Sequence, residues 1–145
     1  MRWTYFGDAT LRERLPKVRG DSMNRPLPLI AGIGPGIGAA DARRFSAGRY
    51  NVAMLARNGE RLAALEQEIV NAKAYVCDVT DEAQLDVAIS AVKAEFGAPS
   101  LLIHYAVGGV FGNFLKIDPQ VLNGNFQVNA MALPHRARRL APAMM

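Results

Sequence analysis

Apolar and polar positions follow two alternating rhythms along this chain. Short apolar runs near 29–33, 51–56, 74–78 and 101–105, rich in Leu, Ile, Val and Ala, read as buried strands. Between and after them lie longer stretches with helical spacing, near 37–47, 60–71, 81–96 and from 118 to 133 or beyond. Leu62, Leu65 and Ile69 mark the inward face of one of these, and Leu85, Ala88, Ile89, Val92 and Phe96 that of another. In the first, Phe45 is expected inward and Gly48 as the stop. Strands alternating with helices predict βαβ winding and an α/β, doubly wound parallel sheet. Right-handed crossovers then give the order 3-2-1-4. A ligand crevice is expected where that order reverses, between the first and fourth strands.

The connection after the first strand sharpens this picture. It reads Gly32-Ile33-Gly34-Pro35-Gly36-Ile37-Gly38 and leads directly into a helix. Alternating glycines let a backbone turn sharply, approach a pyrophosphate with no Cβ in the way, and pack the next helix against the strand. Unpaired N–H groups at the helix start, at the positive end of its dipole, then face the anion. Gly34-x-Gly36-x-x-Ala39 fits the G-x-G-x-x-G/A dinucleotide pattern.

The end of the second strand bears on which dinucleotide is bound. A carboxylate there takes the ribose hydroxyls of NAD, whereas a cation there takes the extra phosphate of NADP. The chain offers Ala56, Arg57 and Asn58, with no acid between Asn51 and Gly59. Arg57 can pair with a phosphate through its planar fork, and Asn58 can add a second donor. NADP is therefore expected over NAD.

On these residues the chain, from about Leu29 to Met145, resembles the first half of a short-chain dehydrogenase/reductase with a Rossmann-like fold. Gly32-x-x-x-Gly36-Ile37-Gly38 has the wider glycine spacing of that family. Cys77-Asp78-Val79-Thr80 resembles the family segment after the third strand, and the resemblance implies that Asp78 and Val79 contact the adenine. A turn or helix-capping role for Asp78 is compatible with that one. The fourth strand, Leu101 to Tyr105, leads into Ala106-Val107-Gly108-Gly109, the stretch in which the family shows Asn-Asn-Ala-Gly or a close variant; Ala106 matches the alanine, whereas Tyr105 stands where an asparagine is expected and Val107 where a glycine is expected. That substitution predicts crowding along the nicotinamide half of the cofactor path. Phe126-Gln127-Val128-Asn129-Ala130 resembles the helix that carries the asparagine of the family's active-site tetrad, which implies Asn129 as the member ordering a water in the proton relay.

The rest of that tetrad is missing. Family chemistry needs a serine after the fifth strand and a tyrosine four residues before a lysine, which lowers the tyrosine pKa. Tyr5, Tyr50, Tyr75 and Tyr105 are followed four positions later by Ala9, Met54, Val79 and Gly109, so no Tyr-x-x-x-Lys exists. The resemblance places these residues beyond Met145. The expectation is an incomplete sheet and an NADP-binding half of an oxidoreductase that, when complete, moves hydride between NADP(H) and a small carbonyl or alcohol substrate. A non-catalytic dinucleotide-binding module and a truncated product without stable function are the alternatives. With no fifth strand, Leu101 to Tyr105 becomes an apolar edge, and Val128, Met131 and Leu133 lose a helical partner, so self-association is expected.

Composition changes the picture little. The chain has 145 residues, half hydrophobic and about a fifth charged, enough for one domain with a sizeable core. Its single cysteine, Cys77, excludes an internal disulfide, carries no metal-ligand spacing, reads as a small core residue and suits a reducing cytoplasm. The net charge of +4 comes partly from Arg136, Arg138 and Arg139 and from six basic residues before Leu27, with no nucleic-acid motif and no aromatic interleaving beside them. His104 and His135 lack ligand partners at metal spacing and read as core packing and solvated helix. Residues 1–26 lack periodicity and read as a disordered extension before a domain at 27–145. They hold no apolar run long enough for a signal peptide or membrane span, and Asp8, Glu13 and Asp21 spoil a transit-peptide reading. Met23 offers a natural family start, with the preceding residues from an upstream initiation.

Overall fold

The computed structural model describes residues 25–145. The predicted extension lies outside the described residues save for Arg25 and Pro26. Four strands, β1 (Pro28–Ala31), β2 (Val52–Ala56), β3 (Ala72–Val76) and β4 (Leu101–His104), form one parallel sheet in the order β3-β2-β1-β4, as the sequence predicts. Leu29 stands beside Ala53 on one side and Leu102 on the other.

Because successive strand residues face opposite sides, the sheet sorts its side chains into two cores. Leu29, Ala31, Ala53 and Leu55 join Leu85, Ala88, Ile89 and Val92 of helix α3 (Glu82–Phe96) on one face. Ile30, Val52 and Met54 join Ala39 and Ala42 of α1 (Ile37–Ala47) and Leu62 and Leu65 of α2 (Gly59–Glu68) on the other. Each fully buried leucine here contributes about 1.5–3 kcal/mol relative to exposure. All the predicted inward residues of α2 and α3 are buried except Phe96, which is half-buried against the first core. Phe45 packs on the second core and meets Tyr50 edge to face, and Gly48 ends α1.

Element boundaries move where local hydrogen bonds outweigh apolar pattern. β1 stops at Ala31 rather than 33, because Gly32 turns into positive φ (92°) and its N–H donates to the Leu55 carbonyl at 2.8 Å. β3 begins two residues early, after Asn71 takes the left-handed region. Its end is set by the turn in which the Asp78 carboxylate accepts from Thr80. α3 starts on Asp81, whose side chain accepts from the N–H groups of Ala83 and Gln84, and it ends at Gly97 with φ 86°.

The largest correction concerns the last helix. In place of one regular helix from 118 to 133 or beyond, the chain forms α4 (Pro119–Phe126), a π-helical turn at Gln127–Met131, and α5 (Ala132–Leu140). Pro134 supplies the reason: it has no N–H for the carbonyl of Ala130, and its ring crowds that carbonyl, so the wider turn absorbs the mismatch. The N–H of Ala132 accordingly bonds back to Gln127. Asn129 thus stands on the π turn rather than on a regular helix.

Candidate functional site

The C-terminal ends of the strands open into a groove at the β1–β4 reversal. Its floor is the glycine turn. At Gly32 the requirement for glycine is double: φ is positive, and a Cβ would sit 2.1 Å from the Ala106 nitrogen, where β4 runs on into the next loop. Gly38 packs α1 onto the turn, with a Cβ position 3.1 Å from the Ile33 Cα. Gly34 faces open space. Gly36 caps α1 with no side-chain hydrogen bond and lies outside the lining of the groove.

Two cavities lie in this groove. The first, about 370 Å³, is lined by Gly32, Gly34, Ala56, Arg57, Asn58, Arg61, Cys77, Asp78, Val79, Ala106 and their neighbours. The predicted residues at the ends of β2 and β3 therefore do come together. Arg57 is 74% exposed and sits 3.8 Å from Asp78, a loose pair that leaves the guanidinium accessible. The Asp78 carboxylate accepts from both the N–H and the hydroxyl of Thr80. The backbone bond, the hydroxyl and the nearby Arg57 hold its pKa below the usual carboxylate range. Asn58 does more than the sequence suggests: its side-chain oxygen accepts from the Arg61 N–H at 2.8 Å and caps α2, which leaves its amide group as a donor. Arg61 is a cation that sequence reading missed, placed one helical turn after Arg57; the spacing Arg57-Asn58-x-x-Arg61 was the available signal. Cys77 is fully buried, and burial, then the Asp78 charge, pushes its thiol up to about 11, so it is no nucleophile at neutral pH.

The second cavity, about 550 Å³, is lined by Gly32, Gly34, Ile37, Gly38, His104, Tyr105, Ala106, Val107 and Asn129. Asn129 uses its whole amide on the loop: the oxygen accepts from the Gly108 N–H at 2.8 Å, and the nitrogen donates to the Gly108 carbonyl at 2.9 Å. This pins the segment after β4 against the π turn. The Tyr105 hydroxyl donates to the Asp41 carboxylate on α1 at 2.7 Å.

The basic residues near the C-terminus form no free patch. Arg136 is fully buried and meets the Nδ1 of His104, while its Nε and Nη1 have no partner. Burial brings its pKa down to about 10. Arg139 binds Asp86 and Glu82 on α3, and His135 lies 3.4 Å from Glu82. Among the described residues there is no metal-binding cluster of His, Cys, Asp and Glu, and no helix is long and apolar enough to cross a membrane.

With this geometry in hand, comparison with known proteins is specific. The family model described as short chain dehydrogenase matches residues 28–145. The chain is 27% identical, over 125 residues, to 2,3-dihydro-2,3-dihydroxybenzoate dehydrogenase of Bacillus subtilis, covering 82% of this chain and 47% of that protein. A metagenomic short-chain oxidoreductase solved in complex with NADP superposes with a TM-score of 0.77 at 30% identity, covering 86% of this chain and 58% of the other. A 3-ketoacyl-(acyl-carrier-protein) reductase from Brucella melitensis, solved with NADH, gives 0.75 at 28% identity, covering 81% and 49%. The chain spans a third to a half of the length of the curated relatives it matches. The glycine turn, the sheet order and the family match agree: the chain belongs to the short-chain dehydrogenase/reductase family.

Proposed function

We propose that this chain is the NADP(H)-binding half of a short-chain dehydrogenase/reductase-type oxidoreductase. The observation that carries the cofactor choice is the end of β2. Arg57 and Arg61 both line the first cavity, and no acid occurs from Asn51 to Gly59 to take a ribose diol. In this reading Arg57, with Arg61 and the Asn58 amide, holds the 2'-phosphate. Asp78 and Val79 flank the adenine, and Gly32, Gly34, Gly36, Ile37, Gly38 and Ala106 shape the path of the pyrophosphate. The bound cofactor supplies or accepts the hydride. Asn129 orders the loop beside the reacting end.

The chain alone is proposed to be inactive toward a carbonyl or alcohol. Tyr105, which lines the groove, has its hydroxyl engaged by Asp41 and no lysine four positions on. Loss of the family's general acid typically costs about 100- to 10,000-fold. This favours a second reading, a dinucleotide-binding module that performs no turnover. A domain at 27–145, residence in a reducing cytoplasm beside the single buried thiol of Cys77, self-association, and no nucleic-acid or membrane partner complete the proposal.

Binding isotherms test it. NADPH is expected to bind more tightly than NADH, and Arg57→Ala to remove about 1.5–3 kcal/mol of that difference. Ala56→Asp should shift preference toward NADH. Equal affinity for both cofactors in the unmutated chain would refute the assignment, and oxidation of NADPH with aldehydes, ketones or quinones that tracks the protein peak would refute the inactivity.

A further inference from the structure

Two Asn-Gly pairs occur in the chain, Asn58-Gly59 and Asn123-Gly124. An asparagine before glycine is the one most open to attack on its side-chain amide by the next backbone nitrogen, because glycine brings no Cβ to hinder the approach. The fold treats the two pairs differently. Asn123 and Gly124 lie inside α4, where Gly124 uses its N–H in the helix ladder and the carbonyls of both residues accept from the Gln127 N–H. The Asn123 amide also donates to Gln120 at 3.3 Å. Gly59, in contrast, is the first residue of α2, so its N–H has no carbonyl partner within the helix. Asn58 before it is exposed and lines the first cavity with Arg57 and Arg61.

The cap on α2 sets the condition for the reaction. Asn58 stands at φ −85° and ψ 97°, with its side-chain oxygen accepting from the Arg61 N–H at 2.8 Å. Ring closure waits for that cap to open, a local event at a helix end rather than unfolding of the domain. The Gly59 N–H then gives its proton to base, the nitrogen bonds to the Asn58 Cγ, and ammonia leaves, which forms a five-membered succinimide. Water opens that ring at either carbonyl and yields an aspartate or an isoaspartate. Both carry a carboxylate where the amide was. Aspartate caps a helix as well as asparagine does, and its charge suits the positive end of the dipole, so this product keeps α2. The change falls on the cavity, where an anionic acceptor replaces an amide donor beside two arginines.

We propose that Asn58 is a site of spontaneous deamidation, and that the carboxylate it leaves reverses the cofactor choice of the first cavity. A 2'-phosphate there loses a donor and meets a like charge. A ribose diol gains the acceptor that the end of β2 otherwise lacks. The proposal rests on the proposed reading of Arg57 and deepens it: a chain that selects NADPH when fresh comes to favour NADH with age. A bound 2'-phosphate that engages the Asn58 amide keeps the cap closed, so NADPH protects its own site.

The test incubates the unmodified chain and Gly59→Ala in mildly alkaline buffer, with and without NADPH or NADH, and maps both asparagines by peptide mass after digestion at acid pH. Carboxylate should accumulate at position 58 about tenfold faster than at position 123. Gly59→Ala, whose Cβ meets only the Val76 side chain, at 3.3 Å, should slow the change by about tenfold while leaving NADPH affinity as it was. NADPH should slow it in the unmodified chain more than NADH does. Calorimetry on Asn58→Asp should show NADPH weakened by about tenfold and NADH unchanged or tighter. Equal rates at positions 58 and 123 overturn the modification site. An unchanged ratio of NADPH to NADH affinity in Asn58→Asp, with that ratio lost in Arg57→Ala, overturns the reversal and leaves the Arg57 reading standing. A ratio unchanged in both variants overturns the 2'-phosphate reading and the reversal with it.

Discussion

The sheet has two outer strands, and they are built differently. β3 carries Lys73, held between Glu66 at 2.9 Å and Glu95 at 3.9 Å, and Tyr75, whose hydroxyl donates to Glu95 at 2.9 Å. A lysine on an outer strand discourages pairing with another chain. β4 reads Leu101-Leu102-Ile103-His104 and carries no charged group of fixed sign. Leu101 is 42% exposed, and α4, which follows, buries no residue. One outer strand has the composition of a sheet boundary. The other has that of an interior strand, in a chain about half as long as its solved relatives.

The largest effect expected from this contrast is on assembly. The unmodified chain should elute as an associated species, and Leu101→Lys should move it toward the monomer, whereas Lys73→Leu should enlarge it. A monomer that melts cooperatively without either change would erase the distinction between the two boundaries. Next in size is the seam that joins β4 to the sheet. Gly32→Ala should cost about 2–5 kcal/mol in urea unfolding, since it combines a left-handed backbone with a Cβ overlapping the loop after β4. Gly34→Ala, facing open space, should leave folding nearly unchanged.

Behind β4, Arg136 is a buried cation without a carboxylate partner. Arg136→Leu is expected to stabilise the chain by about 1–4 kcal/mol, and a loss instead would show that a counter-ion reaches it. The smallest effect lies on the β3 side and depends on pH. Burial, then the bond to Glu95, raises the Tyr75 pKa above its ordinary 10.0. The folded state therefore keeps a proton that the unfolded chain releases near pH 10. The Tyr75 contribution is complete below that pH and declines above it. Urea midpoints of the parent and Tyr75→Phe should converge as pH rises past 10; a constant gap would sever Tyr75 from the protection of that edge.

Much of this was legible because it depends on local spacing. The short apolar runs and the helical spacing between them locate all four strands and α1 to α3, and the glycine turn with Arg57 locates the first cavity. What was not legible depends on partners distant in sequence or on backbone detail. No spacing links Tyr105 to Asp41, and the competing duty of Asn58 as a helix cap emerges only once α2 begins one residue earlier than its apolar pattern suggests. Pro134 was a visible reason to doubt a plain helix, although its effect surfaces one turn earlier, around Asn129. Arg136 was readable in principle: Ala132, Arg136 and Leu140 recur every four residues and are the buried face of α5. In the sequence it stands out only as one of a basic cluster with Arg138 and Arg139.

The clasp at the far end of the sheet governs when the fold can close. The Leu27 N–H donates to the Ser100 hydroxyl oxygen, and the Ser100 N–H donates to the Leu27 carbonyl, both at 2.9 Å across 73 residues. β1 can meet β2 soon after it is made, whereas its other side waits for β4. At about 5–20 residues per second, that wait during synthesis lasts about 4–15 s. Throughout it the strand that carries the glycine turn keeps one row of backbone groups open. Pairing of β1 with β4 is therefore a late, non-local step, and the groove is finished only later still, when Asn129 arrives to hold the Gly108 loop.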